Sequence, residues 1–155
     1  MSPVGAGFAP EALTLDTPRT VLLAEDEADL RDLLAATLRQ HGYHVVAVDA
    51  GDAAIGWASE QTPDLAVVDM MLPGQSGFRV AEVIKELSAG RVPVIMISGN
   101  TSAAHRDYAF ASGVDAFLPK PFDPDRLTRA ADSLCPPTAP RVVFRPGRAA
   151  ALTGP

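Results

Sequence analysis

Residues 65–77 read LAVVDMMLPGQSG. Four apolar residues run without a polar break into a carboxylate, Asp69, and Pro73-Gly74 then signals a turn before a helical pattern begins. An apolar run of this kind fits a strand covered on both faces, as in a parallel sheet. The same unit recurs on either side. Val21–Ala24 (VLLA), Val45–Val48 (VVAV) and Val94–Ile97 (VIMI) are further runs, and Ala116–Leu118 (AFL) is a shorter fifth. Helical spacing fills the gaps. Leu30, Leu33, Leu34 and Leu38 lie within Asp29–Gln40, and Ala54, Ile55 and Ala58 within Gly51–Ser59. Val80, Val83, Ile84 and Leu87 lie within Gly77–Leu87, Ala103–Ser112 is Ala-rich, and Pro124–Leu134 opens with Pro in its first turn. Gly42, Gly90 and Gly113 stand where helices should stop. Five β units alternating strictly with five α units require right-handed crossovers and helices on both faces of a parallel sheet.

In open α/β sheets a ligand site forms beyond the carboxyl ends of the strands. The polar residues that follow the runs are therefore candidates. They are Glu25, Asp26 and Glu27 after the first, Asp69 after the third, Ser98 after the fourth and Lys120 after the fifth. Carboxylates gathered at one sheet end repel one another unless a cation intervenes. Oxygen donors without Cys or His favour a hard ion, Mg²⁺ before Zn²⁺, with open positions for water and phosphate oxygens. The chemistry this implies is phosphoryl transfer.

The chain of 155 residues carries 13 basic and 19 acidic groups, a net charge of −6, which argues against general nucleic-acid binding. With 47% hydrophobic residues it can bury a real core. A single cysteine, Cys135, excludes an internal disulfide and a zinc cluster. No apolar run approaches a membrane span, and Pro3, Gly5, Gly7 and Pro10 interrupt the start of any export signal. A soluble cytoplasmic domain is expected. Residues 1–18 and 136–155 are rich in Gly, Pro and Ala and read as a flexible lead-in and a flexible tail around a domain at 19–135. All 19 acids precede Cys135 while Arg141, Arg145 and Arg148 follow it, leaving −9 on the first 135 residues and +3 on the tail. EALTL, at 11–15, reads as a turn of helix at most, and the VVF of 142–144 as a docking segment at most.

The set AEDE at 24–27, VVDMMLPGQSG at 67–77, MISG at 96–99 and FLPKPF at 117–122 resembles the receiver domain of two-component response regulators. Four motifs in order, each at an expected strand end, cover about residues 19–134. The resemblance implies a flavodoxin-like (βα)5 fold, a doubly wound parallel five-stranded sheet with strand order 2-1-3-4-5. It implies that Asp69 accepts a phosphoryl group. Asp26 would be a direct Mg²⁺ ligand, Glu25 would act through water, and the Met71 backbone carbonyl would complete the metal set with Asp69; Mn²⁺ could replace Mg²⁺. Ser98 matches the switch hydroxyl, Lys120 the phosphate-contacting lysine and Phe117 the aromatic switch. Lys120–Pro121 matches a cis peptide bond. Met71 and Asn100 match the positions that border the path of hydrolytic water and tune the lifetime of the phosphorylated state. This sequence departs from the usual pattern with Glu at 25, Ser at 98 and Phe at 117, and Phe117 lacks the hydroxyl found in many receivers.

The expected function follows from that resemblance. A histidine kinase or histidine phosphotransfer protein donates the phosphoryl group, and the signal passes by a conformational switch to a protein partner. The domain is not a conventional enzyme, although it promotes its own phosphorylation and dephosphorylation. The start at Met1 and the 20 residues after Cys135 suggest a complete stand-alone receiver. Two other functions fit the residues less well. A degenerate receiver serving as a constitutive binding module usually lacks an acceptor, acidic pair or lysine, and all are present here. A haloacid-dehalogenase-like phosphatase needs an acid/base two residues after its nucleophile, and Met71 cannot move a proton.

Singly, each residue has a plainer reading. Asp26 or Glu27 could cap a helix, Asp69 and Ser98 could be turn residues, and Phe117 could be plain core. Lys120 could be solvated, yet it is one of only two lysines in the chain. His41, His44 and His105 lack metal spacing and read as surface or helix-end residues. Cys135 reads as an inert thiol.

Overall fold

The computed structural model describes residues 11–145. Twelve elements follow one another among them: β1 (Glu11–Pro18), β2 (Thr20–Ala24), α1 (Ala28–Gln40), β3 (His44–Val48), α2 (Gly51–Glu60), β4 (Leu65–Asp69), α3 (Gly77–Ser88), β5 (Val94–Ser98), α4 (Ala103–Ala111), β6 (Ala116–Pro119), α5 (Pro124–Leu134) and β7 (Thr138–Arg145).

Pro18–Pro137 forms one compact unit. Its parallel sheet has the order β3-β2-β4-β5-β6. Counted from β2, this is the 2-1-3-4-5 order expected of a flavodoxin-like receiver. Strand residues alternate between the two faces of the sheet. Val21, Leu23, Val67, Ile95 and Ile97 pack with Leu34, Leu38 and Leu127 of α1 and α5. Leu22, Ala24, Val68, Val94 and Met96 pack with Ala54, Val80, Ile84 and Ala109 of α2, α3 and α4. Every residue of the central strands β4 and β5 is buried, which explains their unbroken apolar runs.

The run in β3 looks the same in sequence but is not covered on both faces. Ala47 is exposed and Val46 and Val48 are only half-buried, because β3 is an edge strand. The short β6 is the opposite edge, and only its Leu118 is fully buried.

The segments flanking the compact unit, which the sequence suggests are a flexible lead-in and tail, each contain a strand. β1 and β7 pair as a separate two-stranded sheet, so EALTL is strand rather than a turn of helix. The Arg19 N–H donates to the Pro137 carbonyl at 2.8 Å, so the chain leaves the compact unit at two adjacent points. Each segment finds in the other a pairing partner that it lacks locally. Pro140 is compatible with such a strand because a two-stranded sheet consists only of edges. Residues 1–10 and 146–155, including Arg148 of the basic tail, lie outside the described residues.

Candidate phosphorylation site

Parallel strands end together, so β2, β4, β5 and β6 deliver their last residues to one end of the sheet. Asp69 is the final residue of β4 and Ser98 that of β5, and Glu25 and Lys120 each follow their strand by one position. Gly77, at the start of α3, allows the chain to pass directly behind Asp69. Its N–H donates to the Met70 carbonyl at 2.9 Å, and a Cβ there would lie 2.1 Å from the Asp69 carbonyl oxygen.

Glu25 is fully buried, Asp69 nearly so, and Asp26 is exposed. One carboxylate oxygen from each lies within 4.8 Å of the others. The Lys120 ammonium bridges two of them, donating to Asp69 Oδ2 at 2.5 Å and to Glu25 Oε2 at 3.0 Å. The second oxygen of each is held by backbone, Asp69 Oδ1 by the Met71 N–H at 2.9 Å and Glu25 Oε1 by the Glu27 N–H at 3.1 Å. Burial, followed by the hydrogen bond to Asp69, pushes the Glu25 carboxyl up to about 7; Lys120 and the Glu27 N–H offset this only in part. Burial on its own would lower the pKa of Lys120, but the two carboxylates together outweigh it and raise it.

These donors fit a hard divalent ion. All are oxygens, no imidazole or thiolate is among them, and a buried acid sits with more negative charge than one ammonium can balance. Helix capping does not account for the acidic pair. Glu27 occupies the N-cap of α1 but makes no side-chain cap bond, while Ser76, Ser102 and Asp123 do cap α3, α4 and α5.

Ser98 is buried beside the cluster, but its hydroxyl faces the following loop. It accepts from the Asn100 N–H at 2.9 Å and lies 3.2 Å from the Asn100 carbonyl and 3.5 Å from Met70 Sδ. Asn100 is exposed, and its Oδ1 accepts from the Ser102 N–H at 3.0 Å. The Met71 side chain is 71% exposed, so its bulk points largely into solvent. Phe117 is half-buried against the α2–α3–α4 side of the core, with the Arg106 guanidinium 5.9 Å above its ring. The Lys120–Pro121 bond is cis.

Other candidates lie away from this end of the sheet. His41 pairs with Asp132 at 2.6 Å, and Cys135 is buried with its thiol pKa raised by that burial.

Sequence reasoning missed Arg31. Its guanidinium donates to the Glu25 carbonyl at 3.0 Å and the Asp26 carbonyl at 3.4 Å, fixing the turn that carries both acids. The available signal was a cation near a helix N-terminus, the end that disfavours positive charge. Met70, which touches the Ser98 hydroxyl, and Arg106, over Phe117, gave no signal in the sequence.

The family model of the response regulator receiver domain matches residues 21–132. The phosphate regulon transcriptional regulatory protein PhoB of Escherichia coli (strain K12) is 34% identical over 110 residues, which is 70% of this chain and 48% of that protein. The DNA-binding response regulator MtrA of Mycobacterium tuberculosis is 33% identical over 114 residues, 73% of this chain and 49% of that protein. The chain thus spans about half the length of these curated relatives. Among solved structures, the chemotaxis response regulator CheY4 of Vibrio cholerae superimposes with a TM-score of 0.71 at 26% identity, covering 76% of this chain and 99% of that one. The receiver domain of the sensor histidine kinase PA1611 of Pseudomonas aeruginosa, solved with a magnesium ion in its active site cleft, gives a TM-score of 0.69 at 29% identity and covers 76% and 98%.

Proposed function

This chain belongs to the response regulator receiver family of two-component systems, and from that premise we propose that Asp69 is its phosphoryl acceptor. Receivers are signalling modules rather than conventional enzymes. The observation that carries the proposal is the Lys120 ammonium held between Asp69 and Glu25, beside Asp26, at the carboxyl end of the sheet.

The donor is a phosphohistidine on a cytoplasmic histidine kinase or phosphotransfer protein. An Asp69 oxygen attacks phosphorus, an O–P bond forms, the P–N bond breaks, and the imidazole leaves with the bonding pair. The Met71 N–H and Lys120 fix the two Asp69 oxygens before the donor arrives, so little orientation remains to be found at the moment of reaction. Glu25, Asp26 and Asp69, with the Met71 carbonyl, would hold Mg²⁺, or Mn²⁺ in its place, and a bound ion of this kind supplies charge neutralisation to the phosphoryl oxygens. Lys120 transfers its ammonium from Asp69 to a phosphoryl oxygen as a point charge. Ser98 gives up Asn100 and donates to another phosphoryl oxygen, and Phe117 packs toward the space it leaves. A change of charge is thereby converted into a change of packing that a protein partner reads.

The test is exposure to acetyl phosphate and Mg²⁺ with intact-mass detection. The wild type should gain one phosphoryl group, and Asp69→Asn should gain none. Equal labelling of the two proteins would overturn the assignment.

A further inference from the structure

The turn that carries the two acids between β2 and α1 is tied down through its backbone. The Glu25 N–H donates to the Val48 carbonyl at 3.1 Å, and the Glu27 N–H to Glu25 Oε1 at 3.1 Å. Arg31 holds the carbonyl side. Its Nη1 donates to the Glu25 carbonyl at 3.0 Å and to the Asp26 carbonyl at 3.4 Å. Asp26 depends on that contact, because it is exposed and the bond from Arg31 is the one hydrogen bond it makes among the described residues. The position of Arg31 is unfavourable in itself. It is the fourth residue of α1, and a helix N-terminus disfavours a cation. The residue is half-buried, and both of its side-chain hydrogen bonds among the described residues go to backbone carbonyls rather than to a carboxylate.

We propose that Arg31 is a positioning residue that sets the preference of the acidic site for Mg²⁺ over Ca²⁺, by holding the turn at 25–27 rigid and keeping two of its carbonyls occupied. The proposal rests on the reading of Glu25, Asp26 and Asp69 as metal ligands given above. Mg²⁺ demands near-ideal octahedral geometry with oxygens at about 2.0–2.1 Å. Ca²⁺ takes roughly six to eight oxygens at about 2.3–2.6 Å in a flexible shell, backbone carbonyls included. Selectivity between the two is therefore decided by how far the ligands can move and how many can be recruited. A turn released from Arg31 can spread to suit the larger ion, and the freed Glu25 and Asp26 carbonyls become additional oxygen donors. Both changes favour Ca²⁺, while Mg²⁺ loses the preset placement of Asp26. The charge of the guanidinium is a separate effect. It acts alike on two divalent ions, so its removal shifts both affinities together and cancels in their ratio.

The experiment is isothermal titration calorimetry of the full chain with magnesium chloride and with calcium chloride at matched ionic strength. Arg31→Ala should lower the ratio of Mg²⁺ to Ca²⁺ affinity about fivefold or more. Arg31→Gln, whose shorter side chain stops short of the turn, should lower it as well and serves if the alanine variant does not fold. Arg31→Lys, which keeps a donor near the carbonyls, should hold the ratio within about twofold of wild type. A general loss of stability would weaken both ions together and leave the ratio where it was. An unchanged ratio in Arg31→Ala and Arg31→Gln, or an equal fall in Arg31→Lys, would overturn the role of Arg31 and leave the metal ligands as assigned. A wild-type protein that binds neither ion would overturn both readings.

Discussion

Glu25 is the residue on which the electrostatics of the site turn. Its carboxyl has an ordinary value of 4.5 and is pushed up to about 7 in the fold, so the folded protein holds a proton that the unfolded chain releases. Stability contributed by Glu25 is therefore fully present below pH 4.5 and is lost as pH rises toward 7, by up to about 3 kcal/mol without a metal ion. Chemical denaturation from pH 4.5 to 7.5 with a chelator should show wild type losing stability relative to Glu25→Gln across that window. A constant difference between the two proteins would mean that Glu25 titrates normally. The carboxylates and Lys120 were legible in the sequence because each stands where an apolar run ends. The resting partners of Ser98 were not. They depend on how the loop at 99–102 folds back, and Ser-Gly-Asn-Thr carries no periodic signal.

At the level of elements, the site depends on α3 beginning hard against β4. A Cβ at Gly77 would meet the Asp69 carbonyl oxygen at 2.1 Å, a backbone atom with no freedom to yield. Gly56, within α2, has nothing within 4 Å. Alanine at the two glycines should thus act with opposite signs. Gly77→Ala should destabilise by about 3 kcal/mol and impair phosphorylation, whereas Gly56→Ala should stabilise by roughly 0.5–1 kcal/mol through helix propensity. Thermal melts decide this, and losses of similar size at both positions would show that the contact behind Asp69 is not what makes Gly77 necessary. The alternation of strands and helices was readable because continuous apolar runs and 3.6-residue spacing are local properties. Which strand lies at an edge is not local, so Val45–Val48 and Val94–Ile97 looked alike although only the latter is covered on both faces. The pairing of β1 with β7 was illegible for the same reason, since each finds its partner at the far end of the chain.

For the molecule as a whole, two apolar layers hold the sheet while acidic groups crowd one end of it. That separation lets the core carry the repulsion of the cluster, and it makes stability responsive to a cation. A ligand bound only by the folded state stabilises by mass action, about 2.7 kcal/mol at one hundred times its Kd. Saturating Mg²⁺ should therefore raise the Tm by roughly 5–10 °C. Exposed Asp26 can be removed without opening the core, so Asp26→Ala should melt no lower than wild type in chelator and gain much less from Mg²⁺. A variant that melts lower in chelator yet keeps the full gain would place the ion elsewhere. The most direct measurement is to phosphorylate the protein with acetyl phosphate and Mg²⁺, reduce the acyl phosphate with borohydride, and locate the modified residue by peptide mass spectrometry. The expected result is conversion at Asp69 alone. Conversion at Glu25 or Asp26, or at no residue, would contradict the assignment of Asp69 as acceptor.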